Sequence, residues 1–298
     1  MTSAPYPHSS WPAVSVVIPT LNEARNIPHV FARLPPDIHE LIVSDGHSVD
    51  DTVPVVRRLR PDVRIIMQTR AGKGNALACG FAAATGDLIA MIDADGSADP
   101  NEIPRFVKAL VDGADFAKGS RFLAGGGSSD ITRLRSLGNR GLTGLINVLY
   151  GTKYTDLCYG LNVFWAKHLP VLRLDATTPR PADGDGRLWG DGFEIETLIH
   201  IRAAQARLAV VEVPSFEHSR IHGVSNLSAV SDGLRVLRTI LRETPPPHRT
   251  APHPAQSAAG RLRPRGDAGH GPGPWARPPQ TGPDFGVTHA SGGPPPRG

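Results

Sequence analysis

Two carboxylates one residue apart, Asp93 and Asp95, close an apolar run in the stretch LIAMIDADGSADP, residues 88–100. At about 4 Å and an effective dielectric near 20, two such charges repel by about 4 kcal/mol. A divalent cation removes and reverses that cost. Mg²⁺ or Mn²⁺ held by one or two carboxylates and completed by phosphate oxygens is a common way to bind a nucleotide substrate. Asp93 and Asp95 are therefore candidate metal ligands. The plainer alternative is that Asp93 ends a strand and Asp99 caps the next helix, with no metal involved. The spacing alone is cheap, since Asp183 and Asp185 repeat it. Place separates the two pairs: Asp93 and Asp95 follow a buried strand and precede a capped helix, at the carboxyl end of a parallel strand, where open α/β sheets bind ligands.

The elements that must position these acids read as βαβ units. Across residues 14–118 the short apolar runs VSVVIP, ELIVSD, VRIIMQ, LIAMID and ADFAKGS alternate with helical patterns at 22–34, 48–60, 72–84 and 99–111. That alternation predicts a mostly parallel sheet, and the continuous Val/Ile/Leu character of the runs predicts helices on both of its faces. Helix starts are expected at Ser48, with Asp51 three residues on, and at Asp99, followed by Pro100 and Glu102. From about 130 to 242 the pattern shifts to longer helices (130–151, 191–206 and 226–243), a strand at 208–215 and a Gly/Pro-rich loop at 176–192 of the kind that closes over substrates. This half reads as an elaboration of the same sheet. After Glu243 the chain is too rich in Pro and Gly to pack, and a disordered tail is expected at 244–298.

Three further stretches fall at carboxyl ends of strands: VVIPTLNEARNI, LIVSDGHSVDDT and TRAGKGNALACG. With the Asp pair they make the sequence resemble the family-2 glycosyltransferases of the GT-A fold, and within them the polyprenyl-phosphate sugar synthases. The resemblance runs from about residue 14 to 242. It implies an α/β fold of the nucleotide-diphospho-sugar transferase type, organised as a 1–12 arm, a 13–243 catalytic domain divided near residue 120 into nucleotide-binding and acceptor-side parts, and the 244–298 tail. Carried over by position, Pro19, Asn22 and Glu23 match the first nucleotide-contacting loop and Asp45 the acid that holds the base. Gly72, Lys73 and Gly74 match the glycine-rich turn near the donor, and Asp93 with Asp95 the metal motif. Arg121 matches a basic residue after the fifth strand, Asp156 an acceptor-side acid, and Arg220 with Ser225 a late basic loop that meets phosphates. Gly46 stands where many relatives carry a second Asp, and Asn226 where many lipid-phosphate synthases carry Lys.

What the resemblance implies is a metal-dependent inverting transfer of a hexose from a GDP- or UDP-linked donor, with Mg²⁺ or Mn²⁺ as cofactor. The acceptor is a polyprenyl phosphate or a hydroxyl of a saccharide or small metabolite. Negative charge grows on the leaving diphosphate, so Lys73 and Arg220 are candidates to stabilise it, although a lysine at such a position also serves as a solvated surface group. An ionised phosphate acceptor needs no strong base, whereas a hydroxyl does. Asp191, Glu194 and Glu196 are the candidates for that base, with favourable placement at a helix N-terminus as the alternative for each. His218 and His222 flank Arg220 in a segment between Pro214 and Gly223 that reads as loop, which argues against a zinc pair on one helix face.

Other classes fit less well. No GxGxxG follows the first strand, and Met67 and Gly74 break the P-loop pattern around Lys73. A non-catalytic sugar-nucleotide-binding protein on the same fold is the alternative from another class. The formal charge of +4 comes wholly from the segment after Glu243, where six arginines face two aspartates, so the charge gives no argument for a nucleic-acid partner. Cys79 and Cys158 are far apart and form no metal or disulfide pattern. No stretch is long and apolar enough to span a bilayer, so the expected location is cytoplasmic with at most peripheral contact at the inner face of the plasma membrane. Leu227, Val230, Leu234, Leu237 and Leu241 form one helical stripe beside Arg235, Arg238 and Arg242. Such a stripe packs on its own core or lies on an anionic membrane surface.

Overall fold

The computed structural model describes residues 11–179, 187–223 and 229–243. Asp183, Asp185, Ser225, Asn226, Leu227, the 244–298 tail and nearly all of the 1–12 arm lie outside the described residues. Nine strands and eight helices follow one another along the described chain. In order they are β1 (Val14–Thr20), α1 (Ile27–Phe31), β2 (Glu40–Asp45), α2 (Thr52–Leu59), β3 (Arg64–Met67), α3 (Lys73–Ala83), β4 (Leu88–Met91), α4 (Ile103–Val111), β5 (Phe116–Ser120) and β6 (Gly127–Ser128). They continue with α5 (Arg133–Tyr150), β7 (Asn162–Trp165), α6 (Leu169–Leu172), α7 (Ile195–Gln205), β8 (Val210–Pro214), β9 (Phe216–Glu217) and α8 (Ala229–Glu243).

Seven strands form one sheet in the order β3-β2-β1-β4-β7-β5-β8; β6 and β9 pair separately. All neighbours in the large sheet are parallel except β7, which runs antiparallel to both β4 and β5. Every residue of β1 is buried, as its unbroken apolar run requires of a strand covered on both faces. Val16 and Ile18 face the core shared with α1, α2 and α4, whereas Val17 faces Leu77 and Phe81 of α3 and Leu198 of α7. A third cluster joins α5, α7 and α8 through Ile146, Ile201, Val236 and Ile240.

The second face is anchored by aromatic rings. Phe164 of β7 stacks on Phe116 of β5 at 5.3 Å and meets the edge of Phe81 at 5.4 Å. Phe164→Leu is expected to cost about 1–2 kcal/mol of stability through lost ring contacts and incomplete repacking, read as a lower urea midpoint at unchanged slope.

Two sequence expectations need correction, and one strand was missed. The helical pattern at 22–34 condenses to the five residues of α1, because residues 21–26 form a turn tied to the 48–52 segment: the Asn22 and Glu23 N–H groups donate to the Ser48 and Thr52 hydroxyls, and Asn22 Oδ1 accepts the Val49 N–H. Ser48 does not cap α2: its hydroxyl donates to Asp45 at 2.7 Å, and the helix begins at Thr52, whose N–H is met by Asp50 at 2.9 Å. The Asp99 cap is present, accepting the Asn101 N–H at 3.1 Å at the head of a 3₁₀ turn that leads into α4. Strand β7 was not foreseen at all. Because it is antiparallel, its first residue, Asn162, lies beside Met91 and Lys118 near the carboxyl ends of β4 and β5. The chain therefore enters β7 from the ligand-binding side of the sheet, carrying residues 156–160 there.

Candidate functional site

A cleft of about 830 Å³ opens over the carboxyl ends of the parallel strands. Pro19, Leu21, Gly46 and Gln68 line one end; Ile131, Arg135, Asn139, Leu142 and Val236 of the α5/α8 side line the other; Lys73, Asp93, Asp95, Glu196 and Arg220 lie along it as well.

At the centre, Lys73 Nζ sits 2.6 Å from Asp93 Oδ1 and 2.5 Å from Glu196 Oε1. Burial by itself would discharge this ammonium, but Asp93 and Glu196 override it and raise its pKa. Glu196 is raised by burial and by the neighbouring Asp93 charge, against the pull of Lys73. Arg220 bridges to Glu23 and reaches Asp95 Oδ2 at 3.4 Å. Its loop is fixed to the 95–97 backbone: the His218 N–H donates to Ser97 O at 2.7 Å and the Ile221 N–H to Asp95 O at 3.2 Å. The Glu23 carboxyl is raised by burial, which outweighs its bonds to Asn26 and Arg220.

Asp93 and Asp95 fit a hard divalent cation. Both expose part of their carboxylates to the cleft, and a Cβ at position 160 would fall 2.5 Å from Asp93 Oδ2, so the glycine there leaves that oxygen its space. Among the described residues no cluster of three or more His, Cys, Asp or Glu side chains is placed to hold a metal by itself. Two carboxylates and no third protein ligand is a set that substrate oxygens and water complete, as Mg²⁺ and Mn²⁺ tolerate, rather than a closed zinc cage.

Several residues singled out from sequence do not reach the cleft. Asp45 is fully buried, its carboxylate taken by Thr20 and by the backbone and hydroxyl of Ser48, whereas its neighbours Gly46 and Gln68 line the cleft. Asn22, with φ +59°, braces its own turn by accepting the Val49 N–H. Asp156 is wholly buried and gives both oxygens to Arg121, whose guanidinium also binds Glu217 at 3.0 Å. Arg121 lines the cleft in this doubly held state. Asp191 is tied to buried Arg70, and Glu194 accepts the Gly190 and Gly192 N–H groups at 3.2 Å. Gly72 lines the cleft beside Lys73, and with Gly74 it also makes room for neighbouring backbone. A Cβ on either would fall about 2 Å from the carbonyl oxygen of Asp191 or Gly190, so they admit backbone, and the Gly74 N–H is spent on Asp191 O. The ring of His222 lies 5.5 Å from that of His29, tilted by 51°.

Residues missed from sequence include Gln68, Arg135, Asn139 and Thr197. Asn139 and Thr197 are buried, and Asn139 Nδ2 and Thr197 Oγ1 have no hydrogen-bond partner among the described residues. A signal existed: Asn139, Thr143 and Ile146 recur at i, i+4 and i+7 on α5, so two polar groups occupy its buried stripe.

The paired acids and opposing cations of this strand-end cleft lie partly within residues 15–170, which match the family Glycosyl transferase family 2. The chain belongs to that family, and its architecture is the GT-A fold. It is 32% identical over 224 residues to polyprenol monophosphomannose synthase of Mycolicibacterium smegmatis, covering 72% of this chain and 80% of that one. It is 41% identical over 109 residues, 37% of this chain, to an uncharacterized glycosyltransferase of Mycobacterium tuberculosis, a match that spans about half (49%) of that relative's length. Glucosyl-3-phosphoglycerate synthase from Mycobacterium tuberculosis, solved in complex with Mn²⁺, UDP and glucosyl-3-phosphoglycerate, superposes with a TM-score of 0.60 at 24% identity, covering 80% of this chain and 81% of that one.

Proposed function

We propose that the chain is a metal-dependent inverting glycosyltransferase that moves a hexose from a GDP- or UDP-linked donor to a polyprenyl phosphate. The observation that carries this reading is the convergence of Lys73, Arg220, Asp93 and Asp95 on one cleft. Asp93 and Asp95 would hold Mg²⁺ or Mn²⁺, which when bound supplies positive charge to the leaving diphosphate. Lys73 and Arg220 add fixed positive charge on the same side. An acceptor phosphate oxygen bonds to the anomeric carbon as the bond from that carbon to the donor phosphate breaks, and the electron pair leaves on the nucleoside diphosphate. No proton need be removed from an ionised phosphate.

The acids support that acceptor. Asp191 is neutralised by Arg70, Asp156 by Arg121, and Glu194 holds two backbone N–H groups, while Glu196 is bound to Lys73. None stands free as a base for a hydroxyl. On the acceptor side, Asn139 Nδ2 and Arg135 offer donors, with Ile131, Leu134 and Leu142 as apolar walls.

Peripheral attachment to an anionic membrane is part of the same proposal. The buried stripe of α8 is Val236, Thr239 and Ile240, so the expected leucine stripe is not its core face: Leu234 and Leu241 are each 62% exposed, near Arg238 and Arg242. Exposed Leu134 and Leu137 extend the apolar surface on α5, which packs against α8. Among the described residues no helix is long and apolar enough to cross a membrane.

A panel of GDP- and UDP-linked hexoses with Mn²⁺ or Mg²⁺, with and without undecaprenyl phosphate, tests the reading. The expected result is a lipid-linked sugar product from at least one donor, dependent on the metal. Transfer to saccharide hydroxyls with the lipid phosphate inert would reject the acceptor; no turnover of any donor would reject the enzyme reading.

A further inference from the structure

Lys73 is carried on a turn with little stiffness of its own, flanked by Gly72, at φ +122°, and Gly74. Its shape is imposed by residues 190–192. Asp191 O accepts the Gly74 N–H at 2.8 Å and lies 2.1 Å from where a Cβ on Gly72 would be. Asp191 Oδ2 accepts the Leu188 N–H at 2.7 Å, and the anchor that ties this carboxylate to the rest of the fold is Arg70, 3% exposed and absent from the cleft wall. Its Nε donates to Asp191 Oδ2 at 2.8 Å and its Nη2 to Oδ1 at 3.0 Å, a two-point fork. The same guanidinium donates to Asp175 O at 2.6 Å and Thr178 O at 2.5 Å. The Arg70 N–H also donates to Asn75 Oδ1 at 2.7 Å, fastening it to the first turn of α3. One buried residue, through its guanidinium and its own N–H, thus joins three segments around the lysine, and the hydrogen bonds to Asp191, with that carboxylate's charge, raise the arginine's pKa against burial.

We infer that Arg70 and Asp191 are a positioning pair that fixes the Lys73 turn so that its ammonium meets the donor diphosphate, an inference that rests on the donor reading above. Order built in on folding need not be supplied by the ligand. Without the pair, the glycine-flanked turn must be ordered by the incoming diphosphate, and affinity falls for ligands that reach Lys73. A ligand that stops short of the lysine is unaffected.

The test measures calorimetric affinity, in Mn²⁺, for UDP and GDP and for the matching monophosphates. The proteins are wild type, Lys73→Met, Arg70→Lys, the near-isosteric Asp191→Asn, and the Asp191→Asn/Lys73→Met double variant. Thermal melts check each fold, and Asp191→Asn carries the test if Arg70→Lys fails to fold. The pair predicts that Arg70→Lys and Asp191→Asn each weaken the bound diphosphate by about 10-fold while changing the monophosphate by less than about 3-fold. It also predicts that the double variant is no weaker than Lys73→Met alone. Equal losses on both nucleotides, or losses that add in the double variant, overturn the pair and leave the donor reading standing. Unchanged diphosphate affinity in Lys73→Met, or binding of neither UDP nor GDP, overturns the donor reading of Lys73 and the pair with it.

Discussion

Asp95→Ala should lower turnover by at least about 10³-fold, equivalent to about 4 kcal/mol of transition-state stabilisation, while the protein stays folded. The side chain is 23% exposed, and its protein contacts are the Ser97 N–H at 2.9 Å and Arg220 at 3.4 Å. Arg220 keeps Glu23 when Asp95 is removed, so no buried charge is stranded. What is lost is one of two carboxylates available to a divalent cation, and with it the charge that would balance the leaving diphosphate. Initial rates of donor consumption across a Mn²⁺ titration, with a melt of the same preparation, check both halves. Full activity of the variant in the presence of a chelator would remove the metal role from this position.

Asp156→Ala should destabilise the fold by about 3 kcal/mol, at the low end of the roughly 3–5 kcal/mol expected when one partner of a buried ion pair is deleted, because Glu217 still meets Arg121. Asp156 has no exposed surface, accepts from Arg121 Nε at 2.7 Å and Nη2 at 2.9 Å, and also accepts the Arg121 N–H at 3.1 Å. Burial would raise its pKa, but those bonds and the arginine's charge override burial and hold it below the ordinary value. The unfolded chain therefore takes up this proton at a higher pH than the native protein does. The stabilisation is fully present above about pH 4, the ordinary range of an aspartate, and is lost as the pH falls through the depressed native value. Urea melts at pH 7 should give the lower midpoint in the variant, and the difference between the two proteins should shrink in acid. An equal difference at pH 7 and in strong acid would mean that packing, not the ion pair, is responsible.

The frame of the site was readable because parallel strands buried on both faces write their burial as continuous apolar runs. The turns after β1 and β4 then carry Glu23, Asp93 and Asp95 to the cleft, and Lys73 and Arg220 join them there. Residue type alone did not distinguish an acid that faces solvent from one consumed inside. Asp45, Asp156 and Asp191 stand at strand ends or in loops as the catalytic acids of such sheets do. Their partners lie 3 to 121 residues away, and only the fold brings Arg121 to Asp156 or Arg70 to Asp191. Strand β7 escaped notice because four residues following a long helix, with no hairpin turn, carry too little pattern to mark a strand inserted between β4 and β5. On α8 the sequence holds two candidate stripes, Leu234 with Leu241 and Val236 with Ile240, and packing against α5 and α7 selects the second.

A crystal of the wild-type chain grown with Mn²⁺ and UDP or GDP tests the central claim most directly. Data collected at the manganese absorption edge should show one anomalous peak bonded to Asp93 or Asp95, or both, and to phosphate oxygens of the nucleotide, with Lys73 against the diphosphate. A nucleotide bound elsewhere, or one in this cleft whose phosphates carry no manganese beside either acid, would contradict the account.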